Sequence, residues 1–203
     1  MDSKNPFGNG YALPRGILRE SIRNLNSAHY VFITKCDGSD NGELKAQIRR
    51  LNPKAEIIEC THRARYLENV FTTARQELEF LKNLPVAAIS GIAAPEGFED
   101  EIERRGARLL LKVRYADHHR YTQQQIIETI NRARESGAEA IITTEKDAVR
   151  FPKPTSIDVP VYFLRIEVEI LRGREIWDDL IARICHPHPA REAVLRNRHA
   201  YRI

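Results

Sequence analysis

Short apolar runs alternate with helical stretches along residues 28 to 150. The runs are brief and rich in β-branched residues, which favours strands at 30–34, 56–60, 86–90, 109–113 and 140–143. Between them apolar residues recur at helical spacing, as at Leu44, Ile48 and Leu51, and Pro95 is placed to begin another helix. Strands that alternate with helices predict a mostly parallel sheet with helices on both faces. We therefore expect an α/β protein with a three-layer, Rossmann-like α/β/α fold.

Two segments depart from this alternation. Residues 1–20 are rich in Gly, Pro and Asn and predict a loop. In residues 161–171 the apolar Ile166, Val168 and Ile170 alternate with charged residues. This pattern predicts a half-exposed strand in an edge or ribbon position rather than a buried parallel strand.

Polar side chains follow the predicted strands at their carboxyl ends. They are Thr34 and Lys35, then Ser90, then Asp117, His118 and His119, and finally Thr144, Lys146 and Asp147. Ligands of open parallel sheets bind outside this edge, where the N-termini of the following helices also lie. Hydroxyl, ammonium and imidazole groups there suit an anionic ligand, above all a phosphate.

Each of these residues also has an ordinary structural interpretation. Thr144 with Asp147 is typical of a helix cap, and Lys35 and Lys146 are compatible with plain surface charges. The two histidines could simply bond to neighbouring backbone in a polar loop. One helix start is clearer, because Thr122 with Gln125 three residues later predicts a capping box directly after the histidines.

The bulk composition indicates an ordinary globule. The 203 residues are 42% hydrophobic and 30% charged with a net charge of +4, and the three cysteines are widely separated, which predicts a reduced, cytoplasmic protein. The stretch 185–203 is basic, which is compatible with an anionic membrane surface, nucleic acid or a solvated tail. Cys185-His186-Pro187-His188 has too few companion ligands for zinc, so we predict no metal site in this chain.

The chain contains no G-x-x-x-x-G-K-[ST] loop with which to hold the β- and γ-phosphates of a nucleotide. Several motifs nevertheless occur in an order that matches a known protein family. They are Asn5-Pro-Phe-Gly-Asn-Gly10, Leu18-Arg19-Glu20, Ile33-Thr34-Lys35, Ser90-Gly91-Ile92, Asp117-His118-His119 and Thr143-Thr144-Glu145-Lys146-Asp147. Together they resemble the second lobe of the tetraacyldisaccharide 4'-kinases, the lipid A kinases of Gram-negative bacteria. The resemblance covers most of residues 2 to 170.

The resemblance implies a reaction and its surroundings. Members of the family transfer the γ-phosphate of ATP, with Mg²⁺, to the 4'-hydroxyl of tetraacyldisaccharide 1-phosphate, which gives lipid IVA. They act as peripheral proteins at the cytoplasmic face of the inner membrane, in contact with this lipid substrate, and nucleic acid is not expected as a partner. Two α/β/α lobes joined by a β-ribbon enclose the site, and the first lobe carries the phosphate loop and the magnesium ligands.

The resemblance also implies roles for particular residues. His118, directly after Asp117, matches a histidine at the reaction centre, while His119 is its more variable neighbour. Arg19 and Glu20 match a pair near the nucleotide. The implied organisation is an interlobe segment at 1–27, a Rossmann-like lobe at 28–184 with a ribbon strand near 161–171, and a basic tail at 185–203.

The family pattern further predicts that this chain is a truncated, split or mis-started kinase. The aspartate that matches Asp2 ends a hydrophobic strand in the family, and nearly all of the first lobe lacks a counterpart in these residues. We therefore expect the chain alone to be inactive and a separately encoded N-terminal lobe to be a candidate partner.

Two other functions remain open from the sequence. Thr34-Lys35-Cys36-Asp37 resembles the base-reading [NT]-K-x-D motif of some GTPases. The absence of a phosphate loop is also compatible with a non-catalytic α/β domain that binds an anionic ligand or a partner protein.

Overall fold

The computed structural model describes residues 1–153 and 158–185. Among these residues the strands are β1 (Tyr30–Ile33), β2 (Glu56–Asn69), β3 (Arg75–Gln76), β4 (Pro85–Ser90), β5 (Arg108–Arg114), β6 (Ala140–Thr144) and β7 (Val161–Arg172). The α-helices are α1 (Gly42–Leu51), α2 (Pro95–Arg104), α3 (Gln123–Glu135), α4 (Glu145–Ala148) and α5 (Arg174–Cys185). Short 3-10 helices cover Ile22–Ser27 and Leu78–Leu81. Cys185 is the last described residue, so the rest of the predicted basic tail, including the histidines at 186 and 188, lies outside the described residues.

The chain forms two compact units. One comprises residues 1–62 together with the part of the chain from residue 168 onward, and we call it unit 1. The other, unit 2, is the continuous segment 63–167. The strands β2 and β7 each contribute residues to both units. Within the described residues no helix combines the length and apolar character needed to cross a bilayer.

Unit 2 is a parallel sheet with helices on both faces. β4 pairs in parallel with β5 on one side and with β6 on the other, and β6 pairs in parallel with the start of β7. Successive side chains of a strand point to opposite faces. Accordingly, Val86 and Ala88 pack in the same cluster as Phe98 and Ile102 of α2. The intervening Ala87 and Ile89 belong to a second cluster.

The second cluster of unit 2 contains the buried face of α3. Ile126, Ile130 and Ala133 of this helix pack with Ala87 and Ile89 of β4. The two clusters therefore place α2 and α3 on opposite faces of the sheet. This confirms the predicted three-layer α/β/α arrangement and leaves the carboxyl edge of the strands free to carry loops.

The strand at 161–171 differs in part from the prediction. Val161–Leu164 pairs in parallel with β6, and Val161 and Leu164 are each 1% exposed. The first four residues therefore form a buried parallel strand, and the prediction of a half-exposed edge or ribbon strand is wrong for them. It is correct further along, where Ile166 and Val168 are 40% and 59% exposed. The prediction followed the alternation of the charged residues at 165, 167 and 169, which gives no sign that the first residues of β7 are buried.

Unit 1 is a smaller layered assembly. β1 pairs in parallel with the beginning of β2, and Asp2 forms a parallel bridge with Thr34 along β1. Val31 and Ile33 of β1 belong to the same apolar cluster as residues of α1. Phe32 points to the other face, where it packs edge-to-face on Trp177 of α5 with 5.8 Å between the ring centroids.

One buried carboxylate organises the polar side of unit 1. Glu59 is 2% exposed and accepts three hydrogen bonds of 2.8 Å, from Lys45 Nζ, Asn41 Nδ2 and Arg172 Nη1. Burial alone would raise the pKa of Glu59, but these donors outweigh it and hold the pKa below its ordinary value. The carboxylate thus ties α1, the preceding loop and β7 together. Both of its oxygens have partners.

Candidate functional site

The candidate site of unit 2 lies at the carboxyl ends of β4, β5 and β6. Parallel pairing brings the three following loops to one edge of the sheet. The backbone joins two of these loops directly, since Tyr115 N donates to Ser90 O at 2.8 Å and His118 N donates to Gly91 O at 3.2 Å. Ser90, Asp117, His118, His119, Thr144 and Asp147 therefore come together at this edge, as predicted from strand order.

Asp147 is the buried centre of this edge. Its side chain is 0% exposed. Its Oδ2 accepts from Gly91 N at 3.0 Å and from Thr144 Oγ1 at 2.7 Å. Its Oδ1 makes no hydrogen bond among the described residues, and an Arg150 guanidinium nitrogen lies 3.9 Å away. A buried carboxylate with one incompletely paired oxygen is unusual in a folded protein, and such groups are often found at functional sites.

Gly91 and Tyr121 complete the buried part. A Cβ atom on Gly91 would lie 2.7 Å from the Tyr121 hydroxyl, 3.1 Å from Asp147 Oδ1 and 3.2 Å from Ala116 O, so only glycine fits. The Tyr121 hydroxyl is buried and makes no hydrogen bond of normal geometry among residues 1–153 and 158–185. Burial raises the pKa of Tyr121, and the neighbouring Asp147 charge raises it further. The phenol therefore stays neutral.

His118 is the exposed imidazole of the candidate site. Its side chain is 76% exposed, and its backbone adopts a left-handed φ of +61°. Nδ1 lies 3.2 Å from an Arg150 guanidinium nitrogen, and Nε2 lies 3.7 Å from Asp117 Oδ2. A non-glycine residue with this φ is uncommon and costs about 1 kcal/mol or more. The loop keeps the imidazole at the rim despite that cost.

His119 is held differently from its neighbour. Its ring stacks on Tyr115 with 4.6 Å between centroids, and its Nε2 lies 3.1 Å from Gln125 Oε1. The same Gln125 oxygen accepts from Thr122 N, while Thr122 Oγ1 accepts from Gln125 N. The predicted capping box of α3 is thus confirmed. His119 links this cap to the aromatic cluster, whereas His118 points into the open.

Two further residues lie on α4. Thr144 caps this helix, since its Oγ1 accepts from Asp147 N at 3.2 Å, which confirms the structural interpretation of the Thr144–Asp147 pair. Lys146 is exposed on the first turn. It is available to an anionic ligand but has no hydrogen bond or ion pair within the described part of the chain.

The remaining candidates belong to unit 1. Lys35 forms an ion pair with Asp2 at 2.7 Å, and the Thr34 hydroxyl donates to Met1 O at 3.1 Å. Glu20 accepts a hydrogen bond from Asn24 Nδ2 at 3.1 Å, and Arg19 is exposed.

The residues of the GTPase-like motif are also bound locally. The Asp37 carboxylate is capped by Ser39, whose N and Oγ donate to Oδ1 at 3.0 and 2.5 Å. Cys36 is buried. Local bonds of Lys35 and Asp37 thus account for both charges without a nucleotide base.

Sequence reasoning missed Arg150 and Tyr121. Arg150 lies 32 residues from His118, and only the fold brings the two side chains together. A weak signal existed, because Asp147 and Arg150 are three residues apart and so share a face of a helical turn. No comparable signal separates the buried Tyr121 from an ordinary aromatic residue.

The site can present an N–H donor and cationic groups to an anion, but it offers few metal ligands. In the ranges that the structure describes, no group of three or more His, Cys, Asp and Glu side chains could hold a metal ion.

Comparison with known proteins identifies the family. The sequence model described as LpxK: Tetraacyldisaccharide-1-P 4'-kinase matches residues 1–185. A tetraacyldisaccharide 4'-kinase of Elusimicrobium minutum (strain Pei191) is 32% identical over an alignment of 192 residues, and the match covers 92% of this chain and 50% of that protein. One from Anaeromyxobacter sp. (strain K) is 34% identical over an alignment of 202 residues, and the match covers 95% of this chain and 53% of that protein. The chain thus spans about half the length of the curated relatives it matches.

A solved structure shares the fold. The crystal structure of the "apo" form of LpxK from Aquifex aeolicus, in complex with ATP, superposes with a TM-score of 0.60 at 19% identity. The match covers 91% of this chain and 50% of that one. At this identity the likeness supports the α/β fold alone, whereas the sequence match over residues 1–185 establishes the family. The chain belongs to the tetraacyldisaccharide-1-P 4'-kinase family.

Proposed function

We propose that the chain is the second lobe of a kinase that transfers the γ-phosphate of ATP to the 4'-hydroxyl of tetraacyldisaccharide 1-phosphate, giving lipid IVA. Family membership over residues 1–185 supports this proposal, as does a match to only about half of each relative. Because the chain contains no phosphate loop and no cluster of metal ligands among its described residues, we infer that ATP and Mg²⁺ are held mainly by residues outside it. Alone, the chain is inactive.

The observation that carries the proposal is the placement of His118. Its imidazole projects from a strained turn at the carboxyl edge of the sheet, and Asp117 and Arg150 flank its two ring nitrogens. Phosphoryl transfer depends mainly on positioning and on electrostatic stabilisation of developing charge. An imidazole fixed at an open rim suits that task. We assign it to the reaction centre, with Asp117 beside it.

The nucleotide side is assigned to residues of unit 1. We infer that Arg19 pairs with phosphate oxygens, since a guanidinium can bind two of them at once. Glu20, Thr34 and Lys35 belong to the same function by family pattern. Within unit 2, Lys146 is an exposed cation on the first turn of α4 and a separate candidate for an anionic ligand. We further propose that the enzyme works as a peripheral protein at the cytoplasmic face of the inner membrane, where its lipid substrate resides.

The test is transfer of labelled phosphate from ATP to tetraacyldisaccharide 1-phosphate. The chain is assayed alone and after addition of the N-terminal half of a full-length relative. We expect no ATP turnover by the chain alone and transfer when the other half is supplied. His118→Ala should lower the rate at least about 100-fold, as loss of a hydrogen-bond donor that stabilises charge at a reaction centre does.

A matched control keeps the assay interpretable. His29 is also an exposed histidine, but it lies in the loop before β1, and His29→Ala should leave the transfer rate unchanged. Substantial ATP hydrolysis by the chain alone would contradict the proposal. Equal rates for the two histidine variants would remove His118 from the reaction centre.

A further inference from the structure

The contact between Arg150 and His118 determines where the imidazole carries its proton. A guanidinium nitrogen of Arg150 lies 3.2 Å from Nδ1 of His118. A guanidinium has only donors and does not lose its charge in proteins. Nδ1 must therefore be the acceptor in this bond. In the neutral ring the proton then sits on Nε2, the nitrogen that lies 3.7 Å from Asp117 Oδ2.

Arg150 is itself held by the buried part of the site. Its backbone N donates to Asp147 O at 2.8 Å, and its guanidinium lies 3.9 Å from Asp147 Oδ1. The side chain is 30% exposed, so much of its freedom is already lost in the fold. Because the backbone and the guanidinium of Arg150 both contact Asp147, its side chain loses less conformational entropy when it also contacts His118.

A second connection runs from Asp147 to His118 through the backbone. Asp147 Oδ2 accepts from Gly91 N, and Gly91 O accepts from His118 N. One buried carboxylate therefore fixes the main chain of His118 through Gly91 and its ring through Arg150.

We propose that Arg150 is a positioning residue that sets the tautomer of His118. As a result His118 presents an N–H donor at Nε2, not a lone pair, to the group that approaches it. Such a ring orients an oxygen acceptor, a carboxylate or a phosphate, and does not itself take the proton of a hydroxyl. The catalytic meaning of this assignment rests on the proposed function, whereas the tautomer itself does not.

The tautomer can be read directly from imidazole ¹⁵N resonances of the full chain. Long-range ¹H–¹⁵N spectra at about pH 8 observe neutral rings. We expect His118 to show a protonated Nε2 and an unprotonated Nδ1. Arg150→Met should turn this single tautomer into a mixture, whereas Arg150→Lys, which keeps a cationic donor, should restore it at least in part.

Two features keep the measurement decisive. Arg120→Met removes another arginine of the same loop, one whose side chain has no hydrogen bond or ion pair in the described ranges, and should leave the His118 resonances unchanged. A protonated Nδ1 in the unaltered chain would overturn the inference without any variant. So would a single unchanged tautomer in Arg150→Met.

An activity measurement then separates this inference from the proposed function. In the reconstituted transfer assay, Arg150→Met should lower kcat by roughly 10- to 100-fold, the usual effect of losing a group that orients a reacting histidine, with KM nearly unchanged. Transfer with an unchanged kcat would overturn the positioning role and leave the kinase assignment intact. If no preparation transfers phosphate, the proposed function fails, and the ring resonances alone decide the role of Arg150.

Discussion

Two buried carboxylates, one in each unit, are compensated to different degrees. In unit 1 both oxygens of Glu59 accept hydrogen bonds, from Lys45, Asn41 and Arg172. In unit 2 one oxygen of Asp147 accepts two hydrogen bonds and the other accepts none among the described residues. A fully paired buried charge is typical of structural support, whereas an incompletely paired one is retained where it serves a site. On this reasoning Glu59 serves mainly the stability of unit 1, whereas Asp147 belongs to the candidate site of unit 2.

The largest stability effect should come from Glu59→Gln. In the glutamine an NH2 group replaces one carboxylate oxygen, so this donor would face either the Lys45 ammonium or the Asn41 and Arg172 donors. We expect the free energy of unfolding to fall by about 3 kcal/mol. Urea unfolding followed by the fluorescence of Trp177, the single tryptophan, reports this unit, since its ring packs on Phe32. Glu167→Gln, at an exposed pair with Arg65, should cost less than about 0.5 kcal/mol.

The effect of Glu59 should also depend on pH. The folded-state pKa of Glu59 is lowered, so its contribution is fully present above the ordinary glutamate pKa of about 4.3 and is lost as the pH falls through the lower folded value. The difference between the unaltered chain and Glu59→Gln should therefore be widest near neutral pH and shrink below about pH 4. A constant difference across that range would mean that the charge of Glu59 is not what stabilises unit 1.

Gly91→Ala should give the next largest effect. The new methyl group would lie 2.7 Å from the Tyr121 hydroxyl and 3.2 Å from Ala116 O, which forces the loop to move at an expected cost of about 2 kcal/mol. Far-UV circular dichroism during urea unfolding measures it. Gly97→Ala is the matched control, because a Cβ at this helical position meets nothing within 4 Å and should stabilise the chain by about 0.5 kcal/mol. Equal effects of both substitutions would disprove the tight fit at Gly91.

Asp147→Asn should cost no more than about 1 kcal/mol, clearly less than Glu59→Gln. The amide oxygen can still accept from Gly91 N and Thr144 Oγ1, and the amide nitrogen would replace the oxygen that has no hydrogen bond. The same unfolding experiment measures the difference between the two variants. A loss as large as that of Glu59→Gln would show that Asp147 is as fully compensated as Glu59, and the contrast between the units would disappear.

Tyr121→Phe should have the smallest effect on the free energy of unfolding. Unlike the substitutions of Glu59, Gly91 and Asp147, it should not lower this free energy. The hydroxyl is buried without a hydrogen bond among the described residues, so its removal should leave stability unchanged or raise it by up to about 0.5 kcal/mol. Thermal unfolding measures the change. A clear destabilisation would mean that the hydroxyl does bond to a neighbour, most simply the adjacent Asp147 carboxylate.

The sequence predicted the strand order and the loops that carry chemistry better than it predicted the contacts among them. The apolar run of β6 and the capping box at Thr122 are local signals, and both appear in the structure. The prediction for β2 ended at Cys60, whereas the strand continues to Asn69, because its second half is polar and only Ala64 and Leu67 are buried there. An apolar pattern cannot reveal a strand half in which so few side chains are buried.

The site shows the same limit. Asp117 and His118 follow a strand, and that position together with the family resemblance makes them candidates. Arg150 contacts His118 only because parallel strands bring residues 32 positions apart to one edge. The incomplete pairing of Asp147 is likewise a property of the folded interior, since the sequence shows only an aspartate that suits a helix cap.

The left-handed backbone of His118 has an evolutionary consequence. At φ +61° a glycine or asparagine would relieve strain of about 1 kcal/mol, so retention of histidine works against conformational preference. A descendant chain freed from selection on this imidazole should drift toward glycine or asparagine at this position sooner than at comparable exposed sites. The identity of residue 118 across living lineages would then record which copies of this gene still use the group.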